Sequence, residues 1–255
     1  MVRSLHVEAM SADEVASHHD HGALFQASTI AALLEGRFDG DMTFGELARQ
    51  GDTGLGTVNG LDGEMIALDG RFFRADHRGR TNEIPPTEKT PFAVLVEFDP
   101  DIEVEVSGPA DFESLRSQLD AAVGDRGPVL ALRIDGHFKR VEARSVPRQE
   151  KPYRPLVEVV AGQSVFEFSS CEGTLVGFRF PDWSEGIEVA GYHLHFIDAD
   201  RRRGGHVLDL EIEDGLARLE SSSDLHVELP PGVRLGPTGE ASGTHDQIEQ
   251  AEANR

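Results

Sequence analysis

The chain has 255 residues, 38% hydrophobic and 27% charged, the balance of a globular protein that buries a sizeable core rather than of a disordered or fibrous one. Its 24 Lys and Arg against 46 Asp and Glu give a formal charge of −22, a surface that repels phosphate backbones and anionic headgroups, so neither nucleic acid nor a membrane is expected as a partner. A single cysteine, Cys171, excludes an intramolecular disulfide and any multi-cysteine zinc or iron–sulfur site, and leaves His, Asp and Glu to bind a metal.

Lysines occur only at Lys89, Lys139 and Lys151, so the positive charge is nearly all arginine on an acid-rich surface, the pattern of a chain kept hydrated at high salt. The first 22 residues hold no apolar stretch of signal-peptide length and no run approaches 18 residues, so a cytoplasmic protein is expected. Residues 11–18 suggest a short helix, followed by a His18, His19 and His21 cluster that reads as a solvated loop. Ser28–Leu34 suggests a second helix capped at Ser28. Thr43 begins a third, with Glu46 at capping-box spacing and Gly51 as its stop. From Gly54 to about Val106, short apolar runs alternate with Asp-Gly and Asn-Gly turns, and PFAVLVEF suits a buried strand. Asp111–Val123 predicts a helix and VLALRIDG the strand after it.

Pro147, Pro152 and Pro155 mark a stiff connector. It is the expected boundary between an N-terminal half (1–150) and a C-terminal half (151–255). Beyond it SVFEFSSCEG, TLVGFRFP, GYHLHFIDAD, GHVLDLEIEDG and ARLESSSDLHVELP read as strands, and from Gly236 an acidic surface tail is expected. The fold class is α+β: two β-rich halves with mixed or antiparallel sheets and a few short helices. A faint echo between GRFFRADHRGR and GYHLHFIDADRRRGG leaves open a duplicated β-α-β-meander unit.

The chemistry concentrates in one hairpin. His193 and His195 flank Leu194, so alternation along a strand sends both imidazoles to one face, roughly 6.5–7 Å apart along the backbone. A turn over residues 199–202 sets Asp198 against Arg203 and His195 against His206, where facing Cβ atoms lie about 4.5–5.5 Å apart. Three imidazoles on one patch can cap a divalent metal and leave its other positions open. Exposed histidines on a polar sheet face are the other reading of the same pattern. Glu64, after a Leu-Asp-Gly turn, is by itself equally a turn-edge carboxylate, and Arg144 a surface arginine. Thr57 places a hydroxyl on a glycine-rich segment where it can approach a ligand or hold a turn.

Four blocks in order, QASTIAALLEGRFDGDMTFGELARQGDTGLGTVNGLDGEMIALDGRFF, TPFAVLVEF, RSVPRQEKPYRPL and GYHLHFIDADRRRGGHVLDL, resemble the alpha-acetolactate decarboxylase family. The likeness runs from about Phe25 to the end of the chain. It implies zinc held by His193, His195 and His206, catalytic roles for Glu64 and Arg144, and a further C-terminal glutamate matched best by Glu252, with Glu249 as the shifted alternative. It implies decarboxylation of a small 2-hydroxy-3-oxo acid, 2-acetolactate, to acetoin, with Arg144 and Thr57 contacting substrate, no thiamine or pyridoxal cofactor, and a homodimer. A small zinc hydrolase and a non-catalytic metabolite-binding β module are the competing classes.

Overall fold

The computed structural model describes residues 6–10, 22–124, 128–184 and 186–233. In chain order the strands are β1 (His6–Met10), β2 (Leu24–Ala27), β3 (Thr53–Thr57), β4 (Glu64–Leu68), β5 (Arg71–Ala75), β6 (Thr81–Glu83), β7 (Ala93–Val96), β8 (Ile102–Asp111), β9 (Val129–Ser145), β10 (Ser164–Phe180), β11 (Gly191–Asp198), β12 (Gly204–Ser222) and β13 (Asp224–Glu228). The helices are α1 (Ile30–Leu34), α2 (Phe44–Leu47), α3 (Phe112–Val123) and α4 (Leu156–Val160), with a 3-10 turn at Asp182–Ser184.

Eight strands form a mixed sheet in the order β1-β13-β2-β7-β3-β4-β5-β6, parallel at β1–β13 and β13–β2 and antiparallel elsewhere. The second sheet is antiparallel, β11-β10-β9-β12-β8, and β11 also pairs with β12, so it curls towards closure at that end. The α+β expectation with few short helices holds. β3, β4 and β7 are buried along their whole length, which is why MIAL and AVLV are continuous apolar runs rather than alternating ones. Ile66, Leu68, Phe73 and Ala75 of the first sheet pack on Val176 and Ile197 of the second. This contact brings β4 and β11 together. The second sheet wraps its own core around Phe138, Phe168, Leu194 and Phe196.

Several boundaries differ from those the sequence suggests, each for a local reason. The cap of α1 is Thr29, whose hydroxyl accepts from the Ala32 N–H at 3.2 Å, while Ser28 turns the chain at φ 64°. Thr43 and Glu46 do form a capping box, yet α2 ends at Leu47, well before Gly51. Asp111 caps α3 as its side chain accepts from the Ser114 N–H at 2.9 Å. SVFEFSSCEG and TLVGFRFP are one strand, because Gly173 makes no turn: it lies against Phe196, whose ring a Cβ there would meet at 2.4 Å. β12 likewise runs through Gly215 without a break.

The two segments that echo each other each hold a strand and the turn that leads to its antiparallel neighbour, β5 toward β6 and β11 toward β12, one in each sheet. β8 and β9, which precede the proline connector, lie in the sheet with β10–β12, and β13 returns to the first sheet. Residues 147–155 thus link neighbours, since β9 and β10 pair from Ser145↔Ser164 to Leu130↔Arg179. The expected helix at 11–18, the histidines at 18, 19 and 21 and the acidic tail lie outside the described residues.

Candidate metal centre and active site

The β11–β12 hairpin sets the site. The Asp198 N–H donates to the Arg203 carbonyl at 2.9 Å, and the Asp198 carboxylate accepts from the Arg202 and Arg203 N–H groups at 2.8 and 3.1 Å. That turn chemistry fixes the register, in which His195 faces His206 directly. One side of β11 then carries His193, His195 and Ile197, and the other sends Leu194 and Phe196 into the core. The next strand continues the rung, because His206 is paired with Arg144 on β9. Arg144, His206 and His195 therefore stand side by side on three adjacent strands.

The three histidines are 5%, 1% and 1% exposed. One nitrogen from each lies within 4.8 Å of the others, and the ring centroids are 5.0–5.4 Å apart. His195 Nδ1 lies 2.8 Å from the Met65 carbonyl, which can only accept, so Nδ1 carries the proton and Nε2 the lone pair. That Nε2 is buried without a hydrogen-bond partner among the described residues. Burial, and then the neighbouring His193, hold the His195 imidazole well below its ordinary pKa, keeping it in the neutral form that ligates metals. His193 Nδ1 lies 3.0 Å from Oε1 of the buried Glu188. Converging buried nitrogens, with a lone pair lacking any protein donor, fit a divalent metal ion.

Glu64 enters from the other sheet as the first residue of β4, and it is buried. Its Oε2 lies 3.6 Å from His195 Nε2 and its Oε1 3.7 Å from Arg144 Nη1. Arg144 is 3% exposed. An uncompensated charge at that depth costs several kcal/mol, and the Glu64 carboxylate beside it offsets part of that cost. Thr57 pairs with Glu64 across β3–β4, and its hydroxyl donates to the Gly63 carbonyl at 2.7 Å. This bond holds the tight Gly63 turn that delivers Glu64. Thr57, Glu64, Arg144, His193 and His195 line one cavity, and its apolar wall is Ile30, Leu33, Leu61, Phe92, Val146 and Leu156.

The structure brings together Thr57, Glu64, Arg144, His193, His195 and His206, while Glu252 lies outside the described residues. Sequence reasoning passed over Glu188 and the apolar wall. Glu188 sits in an irregular segment before β11 and is one of 46 acidic residues; only its burial distinguishes it.

The sequence profile of the family described as alpha-acetolactate decarboxylase matches residues 24–234. Among curated relatives, the alpha-acetolactate decarboxylase of Methylococcus capsulatus is 50% identical over 235 residues, 92% of this chain and 90% of that one. That of Methanosarcina mazei is 45% identical, covering 84% of this chain and 74% of its own. The crystal structure of the Bacillus subtilis strain 168 enzyme superposes with a TM-score of 0.85 at 36% identity, covering 91% of this chain and 99% of that one.

Proposed function

The chain belongs to the alpha-acetolactate decarboxylase family, and from that premise we propose how its residues convert 2-acetolactate to acetoin and CO2. The observation that carries the reading is the rung Arg144–His206–His195 with Glu64 facing it, which sets a carboxylate-binding cation, a carboxylate and a triad of imidazoles around one buried cavity.

His193, His195 and His206 would hold a zinc ion, the metal that matches three neutral imidazoles with positions left open. Bound there, zinc would supply Lewis-acid stabilisation of the oxygen charge that develops as CO2 departs. The substrate carries its own electron sink, the ketone next to the carbon that bears the carboxylate. Breaking the bond to CO2 leaves the electron pair in an enediolate, and one proton added at that carbon gives acetoin. No organic cofactor is required.

Arg144 binds and orients the leaving carboxylate with its planar fork, and its burial keeps water from competing. Glu64, within 3.7 Å of both Arg144 and His195, holds the proton delivered to the carbon. Thr57 keeps Glu64 in place through the Gly63 carbonyl and offers its oxygen to the cavity. The apolar wall of Ile30, Leu33 and Phe92 receives the two methyl groups. Glu252, by the family resemblance, completes the acidic set from the C-terminal segment.

No helix among the described residues is long and apolar enough to cross a membrane. The same reading takes the enzyme to be cytoplasmic and a homodimer, the latter measurable as mass in solution. The test of function is direct: purified protein supplied with 2-acetolactate releases CO2 and acetoin in equal amounts. Ester or amide turnover without CO2 release would replace the lyase by a hydrolase.

A further inference from the structure

Glu188 is 1% exposed. A carboxylate at that depth is costly unless a partner requires it. Its Oε1 meets His193 Nδ1 at 3.0 Å, and its Oε2 is buried without a hydrogen-bond partner among the described residues. A carboxylate placed to stabilise the fold would close both oxygens on donors, as Asp198 does with Arg202 and Arg203. Glu188 spends one oxygen on an imidazole and leaves the other unmet.

The segment that carries it is anchored from the opposite direction. The Ile30 and Ala31 N–H groups at the start of α1 donate to the carbonyls of Ile187 and Gly186 at 3.0 and 3.2 Å. The fully buried Gln26 side chain donates to the carbonyls of Ile187 and Ser28 at 2.7 and 2.9 Å. Ser184 caps the turn by accepting the Ile187 N–H at 3.0 Å and donating its hydroxyl to the Pro181 carbonyl at 2.7 Å. The backbone around Glu188 is thereby held by β2 and α1 and does not depend on the His193 contact. What the carboxylate adds is orientation: it accepts Nδ1–H and turns Nε2 of His193 toward the triad.

We propose that Glu188 is a positioning residue of the metal centre, which fixes the tautomer and ring plane of His193 and strengthens it as a ligand by accepting its Nδ1–H on a carboxylate. His195 is oriented more weakly by comparison, by the neutral Met65 carbonyl. The inference rests on the three histidines binding a metal, as in the proposed function.

The experiment measures zinc affinity of the folded chain by competition with a chromogenic chelator, in the parent and in Glu188→Gln and Glu188→Ala. Melting of the metal-free proteins is recorded alongside. The expected result is a zinc dissociation constant weaker by about 10–100-fold in Glu188→Ala and by a smaller factor in Glu188→Gln, the scale typical of lost outer-sphere partners. The metal-free melting point of the isosteric Gln variant stays within about 3 °C of the parent. Long-range 1H–15N spectra of the metal-free parent show His193 protonated at Nδ1, and this population falls in Glu188→Gln. Equal zinc affinity in parent and Glu188→Gln, with an unchanged tautomer, overturns the proposal. A melting loss without change in affinity overturns it too, since a purely structural residue behaves that way. A parent chain that takes up no zinc overturns the metal reading itself, and that outcome is recognisable because it precedes any variant.

Discussion

The same side-chain types meet in two regions and behave in opposite ways. On the outer face of the second sheet Arg133 and Arg218 close on Asp135 at 2.8 and 3.0 Å, and His137 bridges Asp214 and Glu172 at 2.9 Å each. These groups are part or largely exposed, and Asp135, His137, Glu172 and Asp214 border a concavity of about 840 Å³. In the site, Arg144, Glu64 and His195 are buried, with Glu64 3.7 Å from Arg144 and 3.6 Å from His195. Exposed charges are spent on one another. The buried Glu64 carboxylate stands between Arg144 and His195, and all three face one cavity. The two regions are separated by burial and by what the groups face: an open concavity on one side, an enclosed cavity with an apolar wall on the other.

The strongest way to break the comparison is to remove a ligand. His206→Ala is expected to lose zinc and to lower acetoin formation by more than about 10²-fold, since even partners behind a ligand are worth 10–100-fold. Metal analysis of the purified variant checks this. Glu64→Gln keeps shape and zinc but cannot hold an exchangeable acid proton, so turnover drops by about 10²–10⁴-fold. Chiral analysis of the product sharpens the assignment, because proton delivery from solvent gives racemic acetoin. Arg144→Lys keeps the charge and loses the fork. Steady-state kinetics should show kcat/KM reduced by about 10–10²-fold, the worth of one charge-assisted hydrogen bond, with zinc content unchanged.

How much of this was visible in the sequence varies with the range of the interaction. The His195–His206 pairing was legible because it depends on strand alternation and a turn fixed by Asp198, all within 14 residues. The capping box at Thr43 and the cap at Asp111 are equally local. The closeness of Glu64 and Arg144 was not derivable from spacing. They lie 80 positions apart on different sheets, and only family resemblance joined them in advance. The sequence of β10 suggests two strands because Gly173 resembles a turn, whereas the glycine is required by the ring of Phe196. Glu188 carried no signal at all, being an acidic residue in an irregular segment whose position depends on distant carbonyl contacts with α1.

Glu220 tests the burial half of the comparison. It is buried on β12, accepts the Asp99 N–H at 2.9 Å, and burial, with the acidic neighbours Asp99 and Asp101, pushes its carboxyl up to about 7. A carboxyl raised in the folded state contributes stability that is complete below its unfolded value near 4.5 and is lost as pH rises through about 7. Melting followed from pH 5 to 8 should therefore show Glu220→Gln gaining on the parent toward pH 8, by on the order of 2 kcal/mol. The smallest effect belongs to the exposed face. His137→Gln should move the melting point at pH 7 by less than about 2 °C despite two short contacts, because exposed pairs contribute little.

Reconstitution shows whether three buried histidines and the charges beside them form one metal-dependent decarboxylation site. The protein is stripped with a chelator, zinc is returned in steps, and acetoin formed from 2-acetolactate is followed at each step. Activity is expected to be absent from the stripped chain and to rise linearly to a break at about one zinc per chain. Full acetoin formation by the stripped protein, or none with the site loaded, would contradict a metal-dependent site.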